Sequence, residues 1–183
     1  MNCPVCQSTV LVESKLEENL PSFACANCKG NWIRGREYWR WLEKHGHNLP
    51  EITEPAPGQS TAEDAVMKPC PECAFTMFKY KVGHGLEFHL DQCMGCKGIW
   101  FDKDEWETLR ARNLHDDLHA LFTAPWQAEA SREDRKRRLE QMYIRKFGAQ
   151  DYAEIKKVRG WLAEHKYKHE LLAYLTDPDP LNV

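Results

Sequence analysis

The residues of this chain best suited to chemistry are eight cysteines arranged as four C-x-x-C pairs: Cys3 with Cys6, Cys25 with Cys28, Cys70 with Cys73, and Cys93 with Cys96. A two-residue gap lets a tight turn aim both sulfurs at one ion. The longer spacings, C-x2-C-x18-C-x2-C and C-x2-C-x19-C-x2-C, bring two such turns together across an intervening hairpin. The product is a tetrahedral four-thiolate site with Zn–S distances of about 2.3 Å. Two Zn2+ ions per chain are expected, and four thiolates leave no open coordination position, so both should be structural and not catalytic. Iron suits the same sulfur geometry, and zinc is preferred on ligand type and commonness. A single C-x-x-C would leave a thiol–disulfide redox pair open; four pairs at matched spacing argue for metal.

The pairs belong to an internal repeat. Cys3-Pro4-Val5-Cys6 recurs as Cys70-Pro71-Glu72-Cys73, and Cys25-Ala26-Asn27-Cys28-Lys29-Gly30-Asn31-Trp32 recurs as Cys93-Met94-Gly95-Cys96-Lys97-Gly98-Ile99-Trp100. The offset is 67 residues for the first pairs and 68 for the second, which places one gained residue in the second hairpin. Phe75 to Lys81 and Leu86 to Asp91 flank Gly83-His84-Gly85, with Leu86, Phe88 and Leu90 alternating against polar neighbours, as in a hairpin with one covered face. The first copy is poorer in strand formers, with Val10 and Val12 before a polar loop. After the last pair, Asp102 and Glu105 stand in capping-box spacing before a helix over 103–112. In the first copy Tyr38, Trp41, Leu42 and His45 mark a helix face, and Arg34 replaces the capping Asp, so that helix should start less firmly. Gly30 and Gly98 read as turn glycines at a positive φ or a close approach to sulfur. Trp32 and Trp100 read as core that covers the metal and joins sheet to helix, and Trp39 as an exposed contact.

The second copy, Cys93-Met94-Gly95-Cys96-Lys97-Gly98-Ile99-Trp100-Phe101-Asp102 with Glu105, resembles the bacterial zinc-finger domains named for the transcription factor IIB type zinc ribbon, which end in C-x-x-C-x-G-x-W-x-D-x-x-E. The resemblance covers residues 1–45 and 68–112, weakens at Arg34 and stops at Arg112. It implies a zinc-ribbon fold with four thiolate ligands per copy, Cys3, Cys6, Cys25 and Cys28 in one and Cys70, Cys73, Cys93 and Cys96 in the other. Its transcription label implies only an analogy, because ribbons serve nucleic-acid and protein partners alike.

The fold expected is a small, metal-stabilised α+β protein of two tandem ribbons and a helical C-terminal segment. Residues 1–46 form the first ribbon, 47–67 a Pro-rich flexible linker, 68–112 the second ribbon, 113–176 the helical segment and 177–183 a tail. With such a linker the ribbons should fail independently. In the helical segment Ser131 with Asp134 opens one helix and Asp151 with Glu154 another, Leu171 to Leu175 adding a short third. Leu139, Tyr143, Ile155 and Leu162 are expected to face one another. His115/His119 and His165/His169 stand at i, i+4 but lack a third ligand and read as solvated helix histidines.

Residues 1–48 carry a net charge of +1, 49–130 of −7 and 131–183 of +3. Eight thiolates and two dications take the whole chain from −3 to about −7, so uniform attraction to phosphate is not expected. No run of 18 apolar residues occurs, and Met1-Asn2-Cys3-Pro4 lacks the basic patch and apolar stretch of an export signal. A cytoplasmic, non-enzymatic adaptor that docks on a protein is therefore expected, with the acidic second ribbon and exposed aromatics as its contact. The alternative is a nucleic-acid-binding or transcription-associated protein using Arg135, Lys136, Arg137 and Arg138, side chains that encircle their helix. A hydrolase or redox enzyme comes third.

Overall fold

A computed structural model describes residues 1–45 and 66–181, and most of the linker expected at 47–67 lies outside them. The chain divides into two compact units, Met1–Asp134 and Arg135–Val183. Residues 113–134 thus belong with the ribbons, and the segment expected to begin at Asn113 is split between the units.

In the first unit, strands β1 (Val12–Glu17), β2 (Leu20–Ala24) and β3 (Asn31–Ile33) precede helix α1 (Gly35–His45), and β4 (Phe78–Gly83), β5 (Leu86–Gln92) and β6 (Ile99–Phe101) precede α2 (Glu105–Arg110). All six strands form one sheet in the order β1-β2-β3-β6-β5-β4. The two copies meet at its centre, where β3 and β6 pair antiparallel with Asn31 opposite Phe101, Trp32 opposite Trp100 and Ile33 opposite Ile99. The expected independence of the ribbons is therefore overturned: their last strands are neighbours in one sheet, and a single core spans both copies.

Strand alternation divides that core between two faces. Ile33, Ile99 and Phe101 face a cluster with Leu20, Tyr38 and Trp41 of the first copy and Val82, Phe88, Trp106 and Leu109 of the second. Trp32 and Trp100, both fully buried, face the other way, among Cys3, Cys25, Cys70, Cys93, Leu11 and Met77. They cover the sulfurs as expected but do not join sheet to helix; Tyr38, Trp41 and Trp106 do that. Gly30 and Gly98 serve the other copy's indole. A Cβ on Gly30 would lie 2.2 Å from the Trp100 ring, and one on Gly98 would lie 2.1 Å from the Trp32 ring.

Further ties cross between the copies. Glu17 at the first hairpin accepts from Trp106 Nε1 at 3.2 Å and pairs with Arg110 at 3.2 Å. Arg34 pairs with Glu72 in the second copy's first knuckle and lies 4.7 Å over the Phe23 ring. Arg34 thus acts between the copies, and α1 forms without a capping Asp, running 11 residues to the 6 of α2. The hairpins also differ in length. Val12 pairs with Ala24 and Phe78 with Gln92, so the second hairpin is two residues longer, while its approach from the knuckle is one shorter; the net gain of one seen in the sequence is the difference.

Residues 113–134 complete the unit. Helix α3 (Leu118–Leu121) buries both its leucines, and the Tyr38 hydroxyl donates to the His115 carbonyl at 3.1 Å while accepting from the Leu118 amide. Helix α4 (Ala124–Phe147) begins seven residues before the expected Ser131, with Pro125 in its first turn, where a missing N–H is harmless. Its first turns cover edge strand β4: Trp126 Nε1 donates to the Val82 carbonyl, Gln127 bonds both backbone groups of Lys81, and Asp134 pairs with Lys81 at 2.9 Å. Gly83, at φ +74°, admits Ala130, whose Cβ would lie 2.8 Å from an added methyl.

The second unit contains the rest of α4, with α5 (Ala149–Ala163) and α6 (Lys168–Thr176). Here α4 and α5 run antiparallel through Tyr143 stacked on Tyr152 at 6.3 Å and Lys156 donating to Glu140 at 2.6 Å. The expected mutual burial of four side chains fails: Leu162 is buried, but Leu139 and Ile155 stay 51% and 54% exposed and Tyr143 is also exposed.

Because each glycine sits under the opposite copy's tryptophan, Gly98→Ala is expected to destabilise by about 1–3 kcal/mol or more, as overpacking does. The lowered urea midpoint should be accompanied by amide shifts in the first knuckles around Cys3 and Cys25. Likewise, Cys6→Ser should remove hairpin signals of both copies from an NMR spectrum, not those of the first alone.

Candidate metal centres and adjoining cleft

All four knuckles are built alike. The amide four residues after the leading cysteine donates to that cysteine's carbonyl, Gln7 to Cys3, Lys29 to Cys25, Ala74 to Cys70 and Lys97 to Cys93, at 2.8 to 3.0 Å. Each donor is left-handed, with φ of +57° to +65°. The positive φ expected at Gly30 and Gly98 therefore falls one residue earlier, on Lys29 and Lys97. The amides of Cys25 and Cys93 then donate to the carbonyls of Gly30 and Gly98, each at 2.9 Å, closing the turn onto its strand.

This repetition gathers the thiols into two sets, Cys3, Cys6, Cys25 and Cys28, and Cys70, Cys73, Cys93 and Cys96, within each of which all sulfurs lie within 4.8 Å of one another. Individual separations are 3.5 Å for Cys3–Cys28, 3.8 Å for Cys6–Cys25, 3.6 Å for Cys70–Cys96 and 3.3 Å for Cys73–Cys93. A tetrahedron with 2.3 Å bonds has sulfurs about 3.8 Å apart, so both sets fit a four-coordinate zinc. Among the described residues no other group of histidines, cysteines or carboxylates is arranged to hold a metal.

The electrostatics agree. Burial acts to raise Cys25, but amides of Cys28 and Asn27 and neighbouring thiols outweigh it and bring the group down to about 7. Cys93 also falls to about 7, against burial, through the Cys96 amide, the Cys73 thiol and the Gly95 amide. Their neighbours move the other way: burial, then a nearby thiolate, raises Cys28, and the same two causes push Cys96 up to about 11. Each site thus sets a thiol favoured as thiolate, Cys25 or Cys93, beside one held protonated, Cys28 or Cys96, and a bound dication would favour the thiolate form of both.

Beside the second site lies a buried polar network the spacing did not announce. Lys68 Nζ, 2% exposed, donates to Asp91 at 2.8 Å and to Asp102 at 2.7 Å, while Asp102 also accepts from Trp100 Nε1 at 2.7 Å. Burial opposes the Lys68 charge, but Asp102 and Asp91 outweigh it and raise the group above the lysine range. Asp102 does not cap α2 with its side chain; only the return half of the capping box forms, the Asp102 amide donating to Glu105 at 2.8 Å. Burial, then the charge of Asp102, pushes Glu105 up to about 8. In the first copy the register puts Phe23 opposite Trp32 where the second has Asp91 opposite Trp100, and Arg34 stands for Asp102. Trp32 Nε1 is accordingly buried without an acceptor.

On the helix side of the sheet, His115 is buried against Trp41 and Trp106 and lies outside any helix, contrary to the solvated reading; burial lowers its pKa. His119 instead lies 5.5 Å from the ring of Trp39. These two rings line a cleft of about 230 Å3 with Tyr38, Ile99, Phe122, Gln92 and Lys97. Trp39 is 48% exposed, as the sequence suggested.

Elemental analysis of purified protein is expected to return two equivalents of zinc per chain. Lys68→Met strands two carboxylates and should cost about 3–5 kcal/mol in urea unfolding of the zinc-loaded protein. Glu105→Gln retains the amide acceptor without the charge. Because Glu105 holds its proton to about pH 8 when folded but only to about 4.5 in its ordinary state, folding takes up a proton between those limits. Its contribution to stability is therefore lost as pH rises through that window, and the gain from Gln should grow from pH 5 to pH 8.

No curated protein and no solved structure gives a significant match to this chain. The family model described as transcription factor zinc-finger, of the TFIIB-type zinc ribbon, matches residues 2–44 and 69–112. The two segments carry one closed four-thiol site each and fit two structural zinc ions. The two matched segments are two tandem copies of the TFIIB-type zinc ribbon, and residues 113–183 lie outside the match.

Proposed function

We propose that this protein is a non-enzymatic adaptor of the reducing cytoplasm, in which two zinc ions hold a recognition surface in shape for a protein partner. The cleft beside Trp39 carries the reading. Its walls of Tyr38, Trp39, Ile99 and Phe122 suit one large apolar side chain, with Lys97, Gln92 and His119 placed to orient a polar neighbour. A half-exposed tryptophan bordering such a cleft is the composition of an interface anchor. Four-thiolate coordination leaves zinc no position for substrate, which supports a role in shape and not in catalysis. Among the described residues no helix is long and apolar enough to cross a membrane.

A nucleic-acid role is the second reading, favoured by the run Arg135, Lys136, Arg137 and Arg138 and by the family's description as a transcription factor zinc-finger. A zinc-loaded charge near −7 opposes it. One experiment separates the two. Crosslinking in native lysate with and without nuclease should give a nuclease-resistant protein adduct that Trp39→Ala weakens about tenfold. Affinity for single- and double-stranded nucleic acid at 150 mM salt should be weaker than about 10⁻⁴ M. Micromolar nucleic-acid binding, abolished when Arg135, Lys136, Arg137 and Arg138 are all changed to Gln, would replace the protein reading with the second.

A further inference from the structure

The two metal centres are not built separately. Cys3 and Cys25 of the first set and Cys70 and Cys93 of the second lie in one buried cluster together with Trp32 and Trp100. In each second knuckle a glycine carbonyl receives the leading cysteine's amide, Gly30 for Cys25 and Gly98 for Cys93, at 2.9 Å. Those are the two glycines on which the other copy's indole rests. A third tie is one-sided: Arg34, next after β3, pairs with Glu72, which lies between Cys70 and Cys73 and whose amide donates to the Cys70 sulfur at 3.4 Å. Ligand geometry in each site thus rests on side chains of the other copy. A module of about 40 residues usually needs a metal or a partner to fold, and neither apolar layer here is complete in one copy.

We propose that Trp32 and Trp100 are positioning residues for the opposite metal centre, and that through them the two sites load with zinc as one unit. Since the energy of structural metal binding is folding energy, the first ion to bind must order the shared body, the strands of both copies included. The second then meets four thiols already gathered, and its apparent affinity is raised by the factor that ordering cost the first. The coupling is reciprocal: either site can fill first, and losing either ion weakens the hold on the other. A population given too little zinc therefore divides into complete and metal-free molecules. The Trp39 cleft follows the same rule, because its walls come from both copies, Tyr38 and Trp39 from the first and Gln92, Lys97 and Ile99 from the second. The copies are in close contact there, where a Cβ on Gly35 would lie 2.5 Å from the Lys97 carbonyl. That surface is complete in the two-zinc molecule, and the coupling itself does not depend on what the cleft binds.

The test gives zinc in steps to the metal-free, reduced, full-length chain and counts ions per molecule by native mass spectrometry. At one equivalent, a coupling of about a hundredfold leaves about a tenth of the chains with a single zinc, against about half for equal and independent sites. Hairpin amide signals of both copies should grow in together, in proportion to the two-zinc species. Removing the first site with Cys25→Ser and Cys28→Ser should weaken zinc binding by the intact second set about a hundredfold. Trp32→Leu keeps every ligand and breaks no indole hydrogen bond, since Trp32 Nε1 makes none. It should raise the single-zinc share toward half, whereas Trp39→Ala, outside the sulfur cluster, should leave that share unchanged. A single-zinc share of half or more in the wild-type chain would overturn the proposal without recourse to any variant. So would a second site whose affinity ignores the loss of the first, or a Trp32→Leu chain that loads as the wild type does. Loss of the protein adduct with the zinc distribution intact would sink the adaptor reading alone and leave the coupling supported.

Discussion

The structure depends on a reciprocal contact: each copy's tryptophan lies across the glycine of the other. Gly30 and Trp32, Gly98 and Trp100 occupy equivalent places, and the two indoles fill what two side chains would otherwise block. Because β3 and β6 are three residues each, their few backbone hydrogen bonds are a weak basis for a six-stranded sheet. The apolar layer at the sulfurs and the aromatic layer beneath the helices supply the rest, and neither layer is complete in one copy. The metal sites therefore act on a common body: each zinc fixes the knuckles from which a central strand departs.

Within that shared frame the copies have diverged where they need not match. The second carries a lysine held between two aspartates, with Trp100 bonded to one of them. The first has Phe23 and Arg34 at the corresponding places, and Arg34 turns outward to Glu72. A buried ion pair contributes little net stability but is costly to break in half, so the two solutions are replaced whole or not at all. The bare Trp32 indole nitrogen follows from having Arg34 where the second copy has Asp102.

The metal ligands were legible because coordination demands identical residues at fixed spacing, and no burial or tertiary context changes that demand. The shared core was not legible, although Gly-x-Trp stood in both copies: nothing local says that a glycine serves a ring 70 residues away. Asp102 followed by Glu105 has the letters of a capping box, but Lys68, whose sequence neighbours give no hint, draws the aspartate away. Ser131 with Asp134 misled in the same way, since the helix start lay upstream at Ala124 and Asp134 was committed to Lys81.

The antiparallel junction of β3 with β6 has a further consequence. Two ribbons that pair through equivalent strands form, in effect, a homodimer written into one polypeptide, and the tether holds the halves at a high local concentration whatever the dilution of the protein. Covalent linkage also lifts the obligation of symmetry. In a true homodimer any charge introduced near the axis appears twice; here Arg34 arises on one half and Glu72 on the other, so opposite signs can be placed face to face. The same junction is open to exchange, because the central strand of one molecule presents the same partner to its neighbour as to its own chain, and only the tether's entropic advantage keeps the pairing intramolecular.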